Sequence, residues 1–96
     1  MIVIHVQTKV KADKRQEFLA EVKKDLETSR AFKGCVQFGW GEDVTQPNTF
    51  TLYEEWESAE AFNAYKDSDY FKQVGNVVMP LFAEEPQSAY YTANTL

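Results

Sequence analysis

The segment from residue 50 to residue 58 constrains the fold more than any other part of this sequence. Its residues alternate in a way that predicts a strand, and one set shares a face: Phe50, Leu52, Glu54 and Trp56. Ser58 follows, and a serine at this place can cap a helix, here one that carries Phe62 and Tyr65. A tryptophan that ends a strand and faces aromatic residues belongs either to a solid core or to the wall of an aromatic-binding pocket.

The first half of the chain predicts a strand, a helix and a second strand. Apolar residues of one parity run through Ile2–Val10, which indicates the first strand. Asp13 begins a predicted helix of the capping-box type that continues to about Ser29. Three large apolar residues alternate in the second strand: Val36, Phe38 and Trp40.

The second half predicts a third strand, two short helices and a fourth strand. A turn leads into Phe50–Trp56, and the helix after it carries the aromatic residues described above. Ser68 or Asp67 caps the next helix, which Pro80 should break, because proline removes a helical hydrogen bond. The final strand spans Ser88–Thr92.

This order of elements is that of a ferredoxin-like α+β fold, an antiparallel sheet with helices on one face. We therefore expect one domain that covers residues 1–96. Several strands offer apolar residues on both faces, so the helix-free face would show apolar surface to water. A homodimer that buries this face is the simplest solution.

Charge and cysteine content exclude several classes of function. The net charge is −5 and the lysines form no run, so we expect neither nucleic acid nor a membrane as partner. Cys35 is the single cysteine, so no intrachain disulfide can form, and with one histidine the chain has no metal-binding set. The start has no basic region and no long apolar run, so we expect a cytoplasmic protein.

Several segments together resemble the antibiotic biosynthesis monooxygenase family: Ile2–Ile4, Phe32–Cys35, Phe50–Ser58, Phe62, Tyr70-Phe71 and Pro80-Leu81. The resemblance covers nearly the whole chain, and the Glu-Glu-Trp end of the third strand is its best single motif. It implies a dimeric α+β barrel, with a pocket between each sheet and its own helices and with Trp56 in the pocket wall. Members include cofactor-free monooxygenases of phenols, quinols and anthrones, haem-degrading enzymes and an isomerase.

The chain departs from the family pattern at polar positions. Leu52 stands where tailoring monooxygenases tend to have an asparagine, and Phe62 where they tend to have a tyrosine. Tyr65 and Tyr70 stand where many quinol-type and isomerase members have histidines. Haem-degrading members carry an iron-binding histidine in the last helix, and residues 71–76 contain none.

Three polar side chains are candidates for chemistry or for binding. His5, the only histidine, could deprotonate a phenolic substrate, or it could be a strand residue bonded in the sheet or at a dimer interface. Tyr65 could orient an oxygen of the ligand with its hydroxyl, or it could simply pack on the sheet. Glu54 shares a face with Trp56, and a buried carboxylate there requires either a salt bridge or a role as base.

Together with these residues, the resemblance implies a cofactor-independent monooxygenase that acts on a small aromatic substrate. An electron-rich phenolate can pass an electron to oxygen itself if the protein binds it, deprotonates it and excludes water. The predicted catalytic residues are His5 and Tyr65, and the predicted substrate-binding residues are Trp56, Leu52, Phe62 and Glu54. Two alternatives stay open: a non-catalytic small-molecule-binding or interaction protein of the same fold, and an isomerase of a small carbonyl compound.

Overall fold

Four antiparallel strands form one sheet in the order β2-β3-β1-β4 in the computed structural model, which describes residues 1–96. The strands are β1 Ile2–Lys9, β2 Cys35–Glu42, β3 Thr49–Trp56 and β4 Gln87–Thr92. β1 is central, so that Ile4 lies opposite Glu54 on one side and Tyr90 on the other. The ferredoxin-like α+β prediction is confirmed, with small shifts at the strand ends. Val10 lies outside β1 and makes an isolated bridge to Phe82.

Three helices connect the strands: α1 Arg15–Arg30, α2 Ala59–Lys66 and α3 Asp69–Val78. Ser58 Oγ accepts a hydrogen bond from the backbone N–H of Ala61 at 3.2 Å, and Ser68 Oγ accepts one from Phe71 at 3.1 Å. Both serines therefore cap the helices that they were predicted to begin. The predicted break is also present, because α3 ends two residues before Pro80 and a 3₁₀ turn follows.

The prediction that Asp13 begins α1 is wrong. Asp13 lies in a 3₁₀ turn, α1 begins at Arg15, and no side chain caps it. The backbone N–H groups of Val10 and Lys11 donate to the carbonyls of two distant loops, Asn48 and Leu81. These long-range bonds fix the chain just before the turn, which is information that a local pattern does not contain.

Two groups of buried residues hold the helices on the sheet. The first consists of Val10, Phe18, Phe50, Leu81 and Phe82, and the second of Ile4, Phe38, Trp56 and Tyr65. Phe18 and Trp56 are completely buried. Burial of a large side chain contributes roughly 1.5–3 kcal/mol, so these residues dominate the stability of the domain.

Gly34 brings α2 close to the start of β2. Its φ of 84° lies in the left-handed region that favours glycine. A Cβ atom on Gly34 would stand 2.4 Å from the Cβ of Ala61 in α2, which is closer than two carbon atoms can pack. The backbone N–H of Glu57 donates to the Gly34 carbonyl at 2.8 Å, so the turn also fixes the segment between β3 and α2.

The second face of the sheet carries no helix. His5 lies there between the rings of Tyr53 and Tyr91, at centroid distances of 5.4 and 5.8 Å. The half-buried side chains of Val3 and Ala89 flank this group on β1 and β4. The face is therefore a mixture of aromatic, small apolar and polar groups. None of the helices combines the length and the apolar character needed to cross a membrane.

Candidate functional site

A cavity of about 230 Å³ lies between the sheet and the helices α2 and α3. Its wall is mainly apolar, with contributions from Val6, Phe38, Leu52, Phe62, Val74 and Phe82 among others. Four buried polar side chains also reach it: Thr8, Asp25, Glu54 and Tyr65. An apolar cavity with a few convergent polar groups is the usual form of a small-molecule site.

Glu54 is the most unusual of these polar groups. It lies on β3 with only 4% of its surface exposed, and it forms no ion pair. The indole Nε1 of Trp56 donates to Glu54 Oε1 at 2.9 Å. Burial raises the pKa of Glu54 to about 7, the hydrogen bond from Trp56 opposes this rise, and the charge of Asp25 adds to it. A carboxyl group with such a pKa can exchange protons near neutral pH.

Asp25 and Ser29 form a second polar group, four residues apart on the face of α1 that packs on the sheet. Ser29 Oγ donates to Asp25 Oδ1 at 2.7 Å, and the hydroxyl of Tyr70 donates to the same oxygen at 2.5 Å. The Tyr65 hydroxyl lies 2.9 Å from Ser29 Oγ. Burial raises the pKa of Tyr65 well above its usual range and that of Tyr70 to about 12, so both phenols stay protonated at neutral pH.

The structure brings together four of the residues that the sequence predicted for a site. Leu52, Glu54, Phe62 and Tyr65 all line the cavity. Strand parity directs the first two toward the helices, and a separation of three residues on α2 directs the other two toward the sheet.

Trp56 does not line the cavity but packs behind the residues that do. The residue is fully buried and is not among those that line the cavity. Its ring packs on Tyr65 with centroids 4.8 Å apart and planes inclined by 30°, while its N–H holds Glu54. Trp56 thus contacts two lining residues and fixes the positions of both.

His5 lies on the opposite face of the sheet. It is exposed and borders a shallow groove with Gln7, Thr51 and Gln87. The thickness of the sheet separates its imidazole from the cavity. The catalytic role of His5 stays a prediction, because the helix-free face is the one that a second subunit would cover.

The sequence reasoning missed Asp25, Ser29 and Trp40. Asp25 and Ser29 continue the apolar stripe of α1, and polar residues at core-facing positions of a helix are a signal that was available. Trp40 also lines the cavity, and its buried Nε1 has no hydrogen-bond partner. Its ring packs at right angles to that of Phe18, with centroids 5.2 Å apart. No three side chains of the metal-binding types His, Cys, Asp and Glu come together anywhere in the chain.

The fold and the cavity together define a class: small ferredoxin-like α+β domains that enclose an apolar cavity with a buried carboxyl group between sheet and helices. The family model described as "Antibiotic biosynthesis monooxygenase" matches residues 1–76. The chain belongs to this family.

The chain is also similar to individual proteins. The candidate monooxygenase YcnE of Bacillus subtilis is 36% identical over 72 residues, which are 75% of this chain and 76% of YcnE. An uncharacterised protein of Synechocystis is 31% identical over 90 residues, and the match covers 94% of this chain but only 61% of that protein. A crystal structure of a candidate antibiotic biosynthesis monooxygenase from Deinococcus radiodurans superposes with a TM-score of 0.92, covering 100% of this chain and 95% of that one. Its identity is 18%, so this last likeness concerns the fold alone.

Proposed function

We propose that this protein is a monooxygenase that needs no cofactor and oxidises a small hydroxyarene in the cavity between sheet and helices. The observation that carries the proposal is Glu54, a buried carboxyl group without an ion-pair partner whose pKa is about 7. A general base is most effective when its pKa lies near the working pH.

Glu54 would take the proton from the hydroxyl group of the substrate. This transfer leaves the net charge of the cavity unchanged, whereas entry of a ready-made anion would add a further negative charge beside those of Glu54 and Asp25. The resulting arenolate gives one electron to dioxygen, and the two radicals combine to form a C–O bond. The peroxide anion takes the proton back from Glu54 and loses water together with the hydrogen of the carbon that bears it, so that one oxygen atom stays in the product as a carbonyl, the other leaves in water and Glu54 is ionised again.

The cavity favours a substrate of one or two rings. An engineered cavity of about 150 Å³ accommodates benzene, so about 230 Å³ provides room for one substituted ring or two fused rings. Leu52 and Phe62 would contact the ring faces, and Tyr65 would contact its hydroxyl end. Trp56 would act through Glu54 and Tyr65 and not through direct contact.

A homodimer is part of this proposal. The helix-free face carries the rings of His5, Tyr53 and Tyr91, and about half of the Tyr91 surface, 52%, is exposed. Aromatic residues of this kind are typical of interface cores. In such a dimer His5 would be enclosed by the two sheets.

Oxygen uptake tests the activity. The substrates are a one-ring hydroquinone, a two-ring hydroquinone and the three-ring anthrone, with the smaller two expected to react. Glu54→Gln should lower the rate about 10²–10⁴-fold. Glu55→Gln is the matched control, because Glu55 lies next in β3 on the other face, where it accepts a hydrogen bond from Tyr53.

Two results would change the assignment. If His5→Ala abolished uptake and Glu54→Gln did not, the base would be His5 and the site would lie at the dimer interface. If no compound were consumed although aromatic compounds bound, the protein would be a binding member of the family.

A further inference from the structure

The direction of one buried hydrogen bond follows from its neighbours. A serine hydroxyl has one hydrogen to donate, and Ser29 gives it to Asp25 Oδ1 at 2.7 Å. In the contact of 2.9 Å between Ser29 Oγ and the Tyr65 hydroxyl, Ser29 can therefore only accept. Tyr65 is the donor in this contact, and its oxygen keeps only lone pairs for the cavity that it lines.

The other buried polar groups of the wall have the same character. Thr8 Oγ1 donates its hydrogen to the Phe50 carbonyl at 2.9 Å, so it too is left as an acceptor. Glu54 and Asp25 contribute carboxyl oxygens, and Asp25 Oδ1 already accepts two hydrogen bonds. At the Glu54–Tyr65 end of the cavity, the protein therefore presents hydrogen-bond acceptors to a ligand, because its hydroxyl hydrogens are donated to other protein atoms.

Donors are found only in other parts of the wall. Lys66, Ser88 and Tyr90 line the cavity but are exposed, so water satisfies their donors. The Nε1 atom of Trp40 is buried on β2, in a ring that packs against Phe18 and leaves almost none of the nitrogen surface accessible. A carbonyl oxygen that enters the Glu54–Tyr65 end would therefore meet acceptors and lose the hydrogen bonds that it makes in water.

We propose that Asp25 is a positioning residue that sets the hydrogen-bond polarity of the cavity. By taking the hydrogen of Ser29, it makes Tyr65 an acceptor toward the ligand, so that the site binds a hydroxyarene in preference to the matching ketone. The inference rests on the proposed function, since it concerns the same cavity, and it adds a reason for turnover: the substrate hydroxyl is held and the carbonyl product is released.

Binding measured without oxygen tests this inference separately from catalysis. The probes are 1-naphthol and 1-tetralone, two-ring compounds with a hydroxyl or a ketone on the same carbon. Calorimetric titration under argon at pH 8.5, where Glu54 is ionised, gives both dissociation constants. Wild type should bind 1-naphthol about tenfold more tightly, which corresponds to one hydrogen bond gained against one lost.

Two variants change the direction in which the Tyr65 hydroxyl hydrogen points, and a third variant leaves this direction unchanged. Ser29→Ala removes the acceptor of Tyr65, whose hydrogen can then point to the ligand. In the double variant Asp25→Leu, Tyr70→Phe, Ser29 is free to donate to Tyr65, so the Tyr65 hydrogen can again point to the ligand. The second substitution removes the Tyr70 hydroxyl, which would otherwise lose its acceptor. Tyr70→Phe alone is the control, because it removes a donor to Asp25 but leaves the Asp25–Ser29–Tyr65 chain intact.

The measured quantity is the ratio of the two dissociation constants. In Ser29→Ala and in the double variant, 1-tetralone should bind more tightly and the ratio should approach one, while Tyr70→Phe keeps the wild-type ratio within about twofold. A general packing defect would weaken both compounds alike and leave the ratio as it was, which would overturn the inference. Equal binding by wild type, or no binding of either compound, would overturn it too, whereas oxygen uptake bears only on the proposed function.

Discussion

At the scale of the residue, Glu54 combines burial with the absence of a cationic partner. The titratable groups that interact electrostatically with it are Asp25 from α1, Tyr65 from α2 and Cys35 from β2, and none of them supplies a positive charge. At neutral pH, a buried carboxyl group with a pKa near 7 therefore lowers the free energy of unfolding. Such a loss of stability is common where a group serves catalysis.

This loss predicts a dependence of stability on pH. Glu54 has a pKa of about 7 in the folded chain, against 4.5 as a reference value. Between these two values only the unfolded chain loses the proton, so the free energy of unfolding should fall as pH rises from 4.5 to 7, and Glu54 should add no further loss above 7. The contribution is at most about 3 kcal/mol. Urea unfolding at pH 4.5 and pH 8 should show this loss in wild type and in Glu55→Gln but not in Glu54→Gln. An equal loss in all three would mean that Glu54 is solvated.

The indole N–H of Trp56 is predicted to lower the pKa of Glu54. Trp56→Phe keeps a ring beside Tyr65 but removes the N–H that holds down the pKa of Glu54. The pH at which oxygen uptake reaches half its maximum should then move upward. The smaller ring also leaves space in the core, so we expect a loss of about 1–3 kcal/mol in unfolding free energy. If the midpoint of the pH profile stayed in place, the indole would have a packing role only.

The residues of the cavity could be predicted to the extent that they obey local periodicity. Leu52 and Glu54 follow strand alternation, and Phe62 and Tyr65 follow helical spacing. The bond between Ser29 and Tyr65 joins residues 36 positions apart, and no local pattern reports it. Trp56 was expected in the wall because its parity is right, but its place at the end of β3 puts it under α2.

At the scale of the element, the caps of α2 and α3 were predictable and the start of α1 was not. A serine cap accepts a hydrogen bond from a backbone N–H group three residues away, so a short stretch of sequence contains the whole signal. The start of α1 depends on distant loops, and the bidentate ion pair of Arg15 with Glu42 links it further to the end of β2. Contacts between elements decide such boundaries.

The contact between α2 and the turn at Gly34, which precedes β2, is predicted to be sensitive to a single added methyl group. Gly34→Ala would place Cβ 2.4 Å from that of Ala61 and would hold alanine at a φ of 84°. Clash and backbone strain together should cost about 2–4 kcal/mol. In a double-mutant cycle measured by urea unfolding, Ala61→Gly should cost less in the Gly34→Ala background than in wild type. Strict additivity would show that the clash is relieved elsewhere.

At the scale of the whole molecule, the sheet has one face covered by its own helices and one face without cover. The order of elements predicted this arrangement, since helices of a ferredoxin-like fold lie on one side. The mixture of rings and polar groups on the other face follows from strands with apolar residues of both parities. The dimer itself stays a prediction.

A charge on the helix-free face should prevent dimerisation. Ala89 lies in β4 opposite His5, so in a single chain the carboxylate of Ala89→Glu would point to solvent, but between two sheets it would be buried without a partner. Val77→Glu is the control, because Val77 is 47% exposed on α3. Sedimentation at micromolar concentration should give a dimer for wild type and for the control, and a monomer for Ala89→Glu. A monomeric wild type would contradict the prediction.

The strand order also bears on how the chain is made. β1 is synthesised first and lies in the centre, while β4, which covers one of its edges, is synthesised last. Roughly 35 residues separate the end of β3 from the end of β4, and a ribosome needs a few seconds to add them. During that time β1 is an unpaired edge strand of the three-stranded sheet β2-β3-β1, and another nascent chain can pair with it. Slow translation of this interval would therefore favour aggregation, and a chaperone that shields strand edges would raise the yield.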